Sequence, residues 1–347
     1  MRDKGDHYKY IAVHVDDLII TGEEKMIDRV IKTLASKFKL GSITPLSWYL
    51  NLKIQHDKTQ GALTITGEQY SHTVEERFNL QTRMAPRLPY RTSDAQNWKK
   101  APDTKGEQTN QRLYMQKVGS MAWPAVHWRP DLSFVTFRAA RYSQDPRAFH
   151  ECGVDLLLNY LAKTPTHGLL YKKAIQNQED EHTIVTYVDA DFMGEPDKKR
   201  STYGYLIYMD GNLVHWTSKL IKPVVPSSTA AELIGLYHAY QNTIWIRDLC
   251  ETLKIKVATP TIYCDNQAAI HAVTGERPTK ALQHNRTTRP KLFELRDKLK
   301  DANATVHIKH VKGTENPADI LTKAAQTGTM WKGLTEQHMC SAITTTP

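Results

Sequence analysis

Four acidic side chains in the second half of the chain lie where carboxylates from distant segments can meet. Asp189 ends the apolar run IVTYV, and Asp265 ends the apolar run TIYC. Glu232 lies in the first turn of a long helical pattern, and Asp319 follows Ala318 at the start of another element. Carboxylates around one cleft repel each other. Hard divalent cations relieve that repulsion by binding carboxylate and water oxygens, so these residues predict a divalent-metal site.

A sheet flanked by helices is needed to position these acids. Residues 183–189 alternate as a strand, and TYGYLIYM and LVHWTS flank Asp210-Gly211, which is a strong signal for a tight hairpin turn. A long helix follows, then the strand TIYCD with a helix after it. A later helix over Pro290–Leu299 precedes the alternating strand TVHIKHV. Three strands before the first helix predict a mixed sheet.

Two residues of this region have simpler interpretations that compete with a role in chemistry. Thr229-Ala230-Ala231-Glu232 matches a capping box, in which Glu232 would only close the start of the helix. Cys264 precedes Asp265 and is interpreted as a small strand hydrophobe rather than a nucleophile.

A second pair of carboxylates lies near the N-terminus. Residues 10–21, YIAVHVDDLIIT, predict a tight hairpin with Asp16 and Asp17 at its tip. The pair is either a polar turn or the metal-binding hairpin of a polymerase palm. A helix over Met26–Phe38, a strand pair formed by SWYLNLKIQ and ALTITG, and a helix over Glu68–Phe78 follow and favour the second interpretation.

The middle of the chain is basic and then helical. Residues 81–117 hold eight Lys and Arg against three Asp and Glu, with three prolines, and predict a linker that borders nucleic acid or a solvated connector. Residues 113–171 form helical patterns that pivot at Arg129-Pro130-Asp131.

Composition restricts the class of protein. The formal charge of +9 and the pI near 9.2 favour a polyanionic partner. The four cysteines are too scattered for a metal pair or a disulfide framework, which indicates a reduced, intracellular protein. No apolar run is long enough to span a membrane, and the N-terminus lacks the apolar core of a signal peptide. These features leave a cytoplasmic location, as in a virus-like particle, and a nuclear location open.

The second half resembles the ribonuclease H domain of copia-type retrotransposon Pol polyproteins. The resemblance rests on six motifs in the family's order: Asp189-Ala190-Asp191-Phe192, Arg200-Ser201-Thr202-Tyr203-Gly204-Tyr205, Trp216-Thr217-Ser218-Lys219, Ser227-Ser228-Thr229-Ala230-Ala231-Glu232, Cys264-Asp265-Asn266-Gln267-Ala268-Ala269 and Ala318-Asp319-Ile320-Leu321-Thr322-Lys323.

The first half resembles the reverse transcriptase and connection of the same family, so that the resemblance covers roughly residues 8–325. Its motifs are His14-Val15-Asp16-Asp17, Leu40-Gly41, Tyr49-Leu50-Asn51, Gln69-Tyr70, Val118-Gly119-Ser120, Arg129-Pro130-Asp131, Tyr160-Leu161-Ala162-Lys163-Thr164 and Gly168-Leu169-Leu170-Tyr171. His14 stands where the family has tyrosine, and Asn51 stands where it has glycine. Both departures fall where the handling of template or primer would be sensitive.

The resemblance implies an α+β or α/β protein made of several parts. Residues 1–80 would be a remnant of a reverse transcriptase palm, and residues 81–175 a basic linker with thumb and connection helices. Residues 183–325 would form a ribonuclease H-like mixed sheet flanked by helices, and residues 326–347 a C-terminal tail.

The implied chemistry is hydrolysis of the RNA strand of an RNA–DNA hybrid with Mg²⁺, or with Mn²⁺ in its place. By resemblance, Asp189 bridges two ions, Glu232 and Asp265 bind one of them, and Asp319 binds the other. Asp191 is the alternative ligand on the same strand face. Eleven Lys and Arg against six acids in residues 275–323 suit a phosphate backbone of hybrid or RNA.

Departures from the family's pattern bear on substrate binding. The series before the last helix is eroded to Gln283-His284-Asn285-Arg286, with an uncertain match over Lys291–Glu294. Thr314 falls where many cellular ribonucleases H carry a mobile-loop histidine. His310 is a nearby substitute, although it is better explained as a histidine on a strand face.

Three further hypotheses follow. A polymerase site needs a third carboxylate from an earlier palm strand, and Asp3 and Asp6 are too near Asp16 to supply it. We therefore expect no polymerase activity from this chain alone, and leave open whether another chain supplies the missing half. An integrase-like nuclease is disfavoured because its glutamate comes last, whereas Glu232 is second. The remaining rival is a catalytically inactive remnant that at most binds nucleic acid.

Overall fold

The computed structural model describes residues 10–80, 89, 107–173, 181–195, 199–275, 280–300, 306–323 and 339–340. The predicted linker therefore lies largely outside the described residues, as does most of the predicted tail. Within the described residues, the strands form three sheets and helices alternate with them along the chain. The predicted α+β class is confirmed.

The first hairpin has the predicted form. β1 (Tyr10–His14) and β2 (Asp17–Thr21) pair antiparallel, with His14 opposite Asp17, and together they make a two-stranded sheet of their own. The helix α1 (Glu24–Ala35) follows and buries Met26 and Val30.

The next segment differs in one respect from the predicted strand pair. SWYLNLKIQ is not one strand, because it folds back on itself as β3 (Trp48–Tyr49) and β4 (Leu52–Asp57). Leu50 and Asn51 form the turn with φ of 50° and 62°. Asparagine tolerates the left-handed region better than most residues, so Asn51 meets the backbone requirement that glycine would meet. β5 (Ala62–Thr66) and the helix α2 (Glu68–Arg77) follow as predicted.

Three helices make up the middle of the chain. They are α3 (Gln111–His127), α4 (Ser133–Ala140) and α5 (Ala148–Lys163), and a 3₁₀ turn over Pro130–Leu132 separates the first two. The pivot at this turn is held by buried Arg129, which donates to both carboxylate oxygens of Asp131 at 2.9 and 2.7 Å. The predicted linker therefore ends by residue 110, since α3 begins at Gln111.

The predicted helical pattern over GLLY is wrong. Residues Gly168–Lys172 form the strand β6, which pairs antiparallel with β5. Pro165 and Gly168 disfavour continuation of α5, and β5 offers unpaired backbone groups that a strand can satisfy. A strand at Met339–Cys340, named β12 below, completes the sheet by pairing with β6.

The second half forms the predicted mixed sheet. β7 (Ile184–Asp191), β8 (Thr202–Met209) and β9 (Asn212–Leu220) are antiparallel, and Asp210 and Gly211 turn the hairpin between β8 and β9 with positive φ. β10 (Thr261–Cys264) and β11 (His307–His310) add in parallel on the other side of β7.

Helices cover this sheet. α6 (Ser228–Thr252), α7 (Gln267–Thr274), α8 (Lys280–His284) and α9 (Arg289–Lys300) enclose one apolar core with β7 and β10, whose fully buried members include Val188, Leu233 and Ile262. β12 follows these helices in the chain.

The middle helices pack against the other side of the mixed sheet. Trp128 shares a core with Leu206, Leu213 and Leu321. The indole N–H of Trp216 on β9 lies 2.8 Å from the Ala125 carbonyl oxygen and 3.0 Å from the Ser133 hydroxyl. The mixed sheet is therefore enclosed between its own helices and the middle helices.

No helix in the described part of the chain combines the length and the apolar character needed to cross a membrane.

Candidate metal centre

Two neighbouring parallel strands bring the first acids together. β10 pairs with β7 in a register that places Cys264 opposite Val188. Asp189 and Asp265 each come directly after these residues, so the two aspartates lie side by side at the carboxyl end of β10.

Asp319 reaches this edge on a 3₁₀ segment, Pro317–Leu321, that is fastened to the sheet. Asn316 accepts from the amide of Ala318 at 3.1 Å and donates through Nδ2 to the Val188 carbonyl at 2.9 Å. Ser218 donates to the Leu321 carbonyl at 2.6 Å. The segment is thus held against both β7 and β9.

Gly204 on β8 allows this close approach. A Cβ at Gly204 would lie 2.4 Å from Cβ of Leu321 and 3.2 Å from the Thr217 carbonyl oxygen. Any side chain here would push the 3₁₀ segment away, and Asp319 with it. The glycine of the Arg-Ser-Thr-x-Gly-Tyr motif is therefore explained by packing beside the acids.

The result is a compact group of three carboxylates. One oxygen from each of Asp189, Asp265 and Asp319 lies within 4.8 Å of the other two. Asp189 is buried, whereas Asp265 and Asp319 are half-buried and border the surface. This spacing makes the three carboxylates candidate ligands for a metal site.

Glu232 lies beside this group and does not cap its helix. The N-cap of α6 is Ser227, whose hydroxyl accepts from the Ala230 amide at 3.2 Å, so that Glu232 falls in the second turn. The capping-box interpretation of Glu232 is therefore wrong. The glutamate instead accepts from the Ala190 amide at 3.3 Å and forms a second close group with Cys264 and Asp265.

Burial and the repulsion of nearby charges raise the pKa of Glu232, Asp265 and Asp319. The pKa of Glu232 lies well above its ordinary value because of burial and the nearby charges of Asp189 and Asp265. The pKa of Asp319 rises to about 6, and that of Asp265 also rises, for the same two reasons, with Asp189 the main repelling charge. Such a group favours a bound cation, which would remove the repulsion.

Cys264 takes part only as a neutral thiol. Its Sγ lies 3.8 Å from Oε2 of Glu232, and burial raises its pKa well above the ordinary value. A buried thiol of raised pKa is a poor nucleophile, which agrees with its interpretation as a strand hydrophobe.

Thr322 and Lys323 also belong to the site, although the sequence motif that contains them assigns them no role. Thr322 donates from its hydroxyl to Oδ2 of Asp189, and its hydroxyl also lies 3.1 Å from the Asp319 carbonyl oxygen. Nζ of Lys323 lies 3.0 Å from Oδ1 of Asp319 and 3.5 Å from Oδ1 of Asp189. The sequence feature that indicates both residues is the Thr-Lys pair at the end of the Ala-Asp-x-x-Thr-Lys motif.

Asp191 does not join the group of three carboxylates. Its carboxylate lies against Gly194, where a Cβ would overlap it. The pKa of Asp191 is raised, chiefly by burial, and Arg138 and Arg141 are among the charges that act on it. Lys323 and Asp189 act on it more strongly than these arginines, so Asp191 lies near the group of three carboxylates without belonging to it.

The structure keeps the N-terminal acids apart from this site. Asp16 and Asp17 are exposed at the tip of the β1–β2 hairpin. Neither belongs to either group of candidate ligands that the described residues form. His14, the departure from the family's tyrosine, is exposed beside them.

The other departures from the family's pattern lie within ordered elements. His310 ends β11, and its Nε2 lies 3.2 Å from the Asp265 carbonyl oxygen, whereas Thr314 lies in an exposed 3₁₀ turn. In the eroded segment, Asn285 accepts from the amides of Thr287 and Thr288, and Leu282 is buried in the core. The eroded segment is thus part of the fold.

The chain is similar in sequence to known proteins. Residues 1–91 match the family described as reverse transcriptase (RNA-dependent DNA polymerase). The Retrovirus-related Pol polyprotein from transposon TNT 1-94 of Nicotiana tabacum is 28% identical over 323 residues, which are 92% of this chain and 23% of the relative. The Retrovirus-related Pol polyprotein from transposon RE2 of Arabidopsis thaliana is 28% identical over 325 residues, 92% of this chain and 21% of the relative.

A solved structure, LC11-RNase H1 in complex with an RNA/DNA hybrid, is 18% identical with a TM-score of 0.32 and covers 40% of this chain and 94% of its own. The chain spans less than a quarter of the length of the two polyproteins. Residues 1–91 thus match the reverse transcriptase family, and over 92% of its length the chain is similar to Pol polyproteins of copia-type retrotransposons.

Proposed function

We propose that this chain carries a metal-dependent ribonuclease H, which hydrolyses the RNA strand of an RNA–DNA hybrid. The observation that supports the proposal is the convergence of Asp189, Asp265 and Asp319 within 4.8 Å, with buried Glu232 beside them. The proposed domain for this activity is the mixed sheet with its helices, residues 183–325. The matched reverse transcriptase region and the middle helices would be the remnant of the palm and the connection.

The donor set fits Mg²⁺, with Mn²⁺ as a substitute. All three members of the compact group are carboxylates, and hard cations of this size prefer oxygen ligands. Asp189 would help to hold both ions, Glu232 and Asp265 would hold one of them, and Asp319 would hold the other. The close group that Glu232 forms with Asp265 supports their assignment to the same ion. When bound, the ions would supply an activated water and neutralise the leaving oxygen.

The residues of the chain would orient the acids for this task. Thr322 fixes one oxygen of Asp189 by donating a hydrogen bond to it, which leaves Oδ1 directed toward Lys323. The Ala190 amide fixes Oε1 of Glu232 in the same way. Ligands that are fixed before the cation arrives lose less entropy on binding, so the group is suited to hold the substrate phosphate in one place.

We propose an RNA–DNA hybrid as the substrate for two reasons. They are the basic charge of this part of the chain and the requirement that a ribonuclease H recognise the RNA strand. Residues 275–323 hold an excess of Lys and Arg over acids, which suits a phosphate backbone. Selection of the RNA strand would depend on contacts to 2′-hydroxyls.

The first prediction tests the site directly. Asp265→Asn keeps the size of the side chain but removes a ligand charge, so we expect Mg²⁺-dependent cleavage of a labelled RNA–DNA hybrid to fall to background. Asp28→Asn on exposed α1 makes the same chemical change far from the acids and is expected to cleave like the wild type.

Equal cleavage by Asp265→Asn and the wild type would overturn the assignment. If the wild type binds hybrid without any turnover, with and without Mg²⁺, the inactive remnant is the correct description.

A further inference from the structure

The ammonium group of Lys323 occupies a position among the acids that a metal ion would also favour. Its Nζ contacts Oδ1 of Asp319 at 3.0 Å and Oδ1 of Asp189 at 3.5 Å, so one cation touches two of the three converging carboxylates. Burial acts to lower the pKa of Lys323, but Asp189 and Asp319 outweigh it, and the pKa lies above the ordinary value. The side chain is therefore charged and attracted to these acids.

The backbone at Lys323 is fixed, whereas its side chain has room to move. The Lys323 amide donates to the Asp319 carbonyl at 2.9 Å, and the neighbouring Thr322 hydroxyl holds Asp189. The Lys323 side chain is 36% exposed, while that of Asp189 is 1% exposed. Rotation of the flexible four-carbon stem can carry the ammonium into solvent without displacing the acids.

Two cations cannot share the same pair of oxygens without strong repulsion. At separations of a few ångströms, like charges in a partly buried site repel each other much more strongly than they do in water. A divalent ion that binds both Asp189 and Asp319 must therefore displace the ammonium from them.

We propose that Lys323 is a tethered counter-cation, which holds the metal-free carboxylates together and competes with divalent ions for Asp189 and Asp319. The inference rests on the metal site of the proposed function. Lys323 is then a positioning residue: it stabilises the metal-free site and raises the concentration of metal ion at which the site fills.

Removal of this charge has two opposite effects. Lys323→Met and Lys323→Gln take away the competitor, so the purified full chain should bind Mn²⁺ about tenfold more tightly. The same variants should melt at a lower temperature in EDTA, because the acids then repel each other without compensation, and should gain more in melting temperature when Mn²⁺ is added. Lys323→Arg keeps the charge and should restore the weaker affinity of the wild type.

The experiment measures Mn²⁺ affinity by calorimetry and by the loss of the free-ion signal in electron paramagnetic resonance. Lys312→Met is the matched control, because Lys312 carries the same charge on a neighbouring exposed loop and pairs with Glu315 at 3.7 Å. Its Mn²⁺ affinity should stay within about twofold of the wild type. The glutamine variant retains an amide that can bond Asp319, and so keeps the test possible if the methionine variant does not fold.

Unchanged or weaker Mn²⁺ binding by Lys323→Gln would overturn the inference, as would equal tightening in Lys312→Met. Absence of Mn²⁺ binding in every variant would also overturn it. Tighter Mn²⁺ binding in Lys323→Gln together with no hybrid cleavage by the wild type would support the role of Lys323 and overturn the proposed ribonuclease activity alone.

Discussion

The carboxylates of the site differ in how strongly they hold a proton, with which a metal ion must compete. Asp319 has a raised pKa of about 6, since it is partly buried next to Asp189. A metal ion binds the ionised form, so protons and metal compete at this residue over the range between the ordinary and the raised pKa.

The second prediction concerns this competition. The folded metal-free protein holds a proton on Asp319 that the unfolded chain releases between the ordinary pKa and about 6, so this group's contribution to stability falls as pH rises through that window. The increase in melting temperature that Mn²⁺ causes should therefore be larger at about pH 7.5 than at about pH 5.

Differential scanning fluorimetry in EDTA and in Mn²⁺ measures this increase. Asp319→Asn should lose part of the pH dependence. An increase that is the same at both pH values would contradict the role of Asp319.

The third prediction concerns Thr322, which donates to the buried Asp189 carboxylate. Thr322→Val has nearly the same shape but no hydroxyl, and leaves a buried charged group without that donor. We expect a loss of about 1–3 kcal/mol in the free energy of unfolding and a reduced rate of hybrid cleavage. Thr322→Ser keeps the hydroxyl and should preserve both. Urea unfolding and the cleavage assay measure the two effects, and a stable, fully active valine variant would show that the bond is unimportant.

At the scale of elements, the site depends on how the 3₁₀ segment Pro317–Leu321 meets β8 and β9. Gly204 provides the space and Ser218 provides a hydrogen bond to the Leu321 carbonyl. The acids on β7 and β10 are fixed by strand pairing, whereas Asp319 depends on this contact between a short helix and a sheet.

The fourth prediction tests that contact. Gly204→Ala would place Cβ 2.4 Å from Cβ of Leu321, so the segment must shift. We expect destabilisation of about 1–3 kcal/mol and a loss of hybrid cleavage that added Mn²⁺ restores only in part. Gly119→Ala on the exposed face of α3 is the matched control, because nothing lies within 4 Å of its Cβ.

Alanine in a helix is more favourable than glycine by about 0.5–1 kcal/mol, so Gly119→Ala should be neutral or stabilising. If both alanine variants behaved alike, the close contact at Gly204 would not matter.

At the scale of the whole molecule, the acids of the Asp189 site and the Asp16–Asp17 pair have different surroundings. The Asp189 site lies in a sheet enclosed between α6 and the middle helices, which contact β9 through Trp216. The β1–β2 hairpin carries Asp16 and Asp17 on a two-stranded sheet of its own. No third acid joins this pair among the residues that the structure describes.

The fifth prediction follows from that difference. We expect no nucleotide incorporation by this chain on a primed RNA template with Mg²⁺ or Mn²⁺, because polymerisation by two metal ions needs a further carboxylate. A primer-extension assay with a complete reverse transcriptase as the positive control measures this. Incorporation above the no-enzyme background would show that the pair is sufficient or that its partner lies outside the described residues.

Local pattern in the sequence determined most elements and the identity of the acids. The hairpin of β1 and β2, the turn at Asp210-Gly211 and the individual strands β7 to β10 follow from residue alternation and turn chemistry, both of which act between near neighbours. The motifs around Asp189, Glu232, Asp265 and Asp319 supplied the candidate ligands.

Contacts between distant segments decided the rest. β6 is a strand because β5 and β12 satisfy its backbone, and no local pattern contains that partner. Glu232 does not cap α6, because the N-cap of this helix is Ser227. Asp191 stays outside the ligand group, whereas Thr322 and Lys323 contact Asp189 from more than a hundred residues away in sequence, and no local pattern contains those contacts. The sequence by itself names the acids, and only the tertiary structure decides which charges face them.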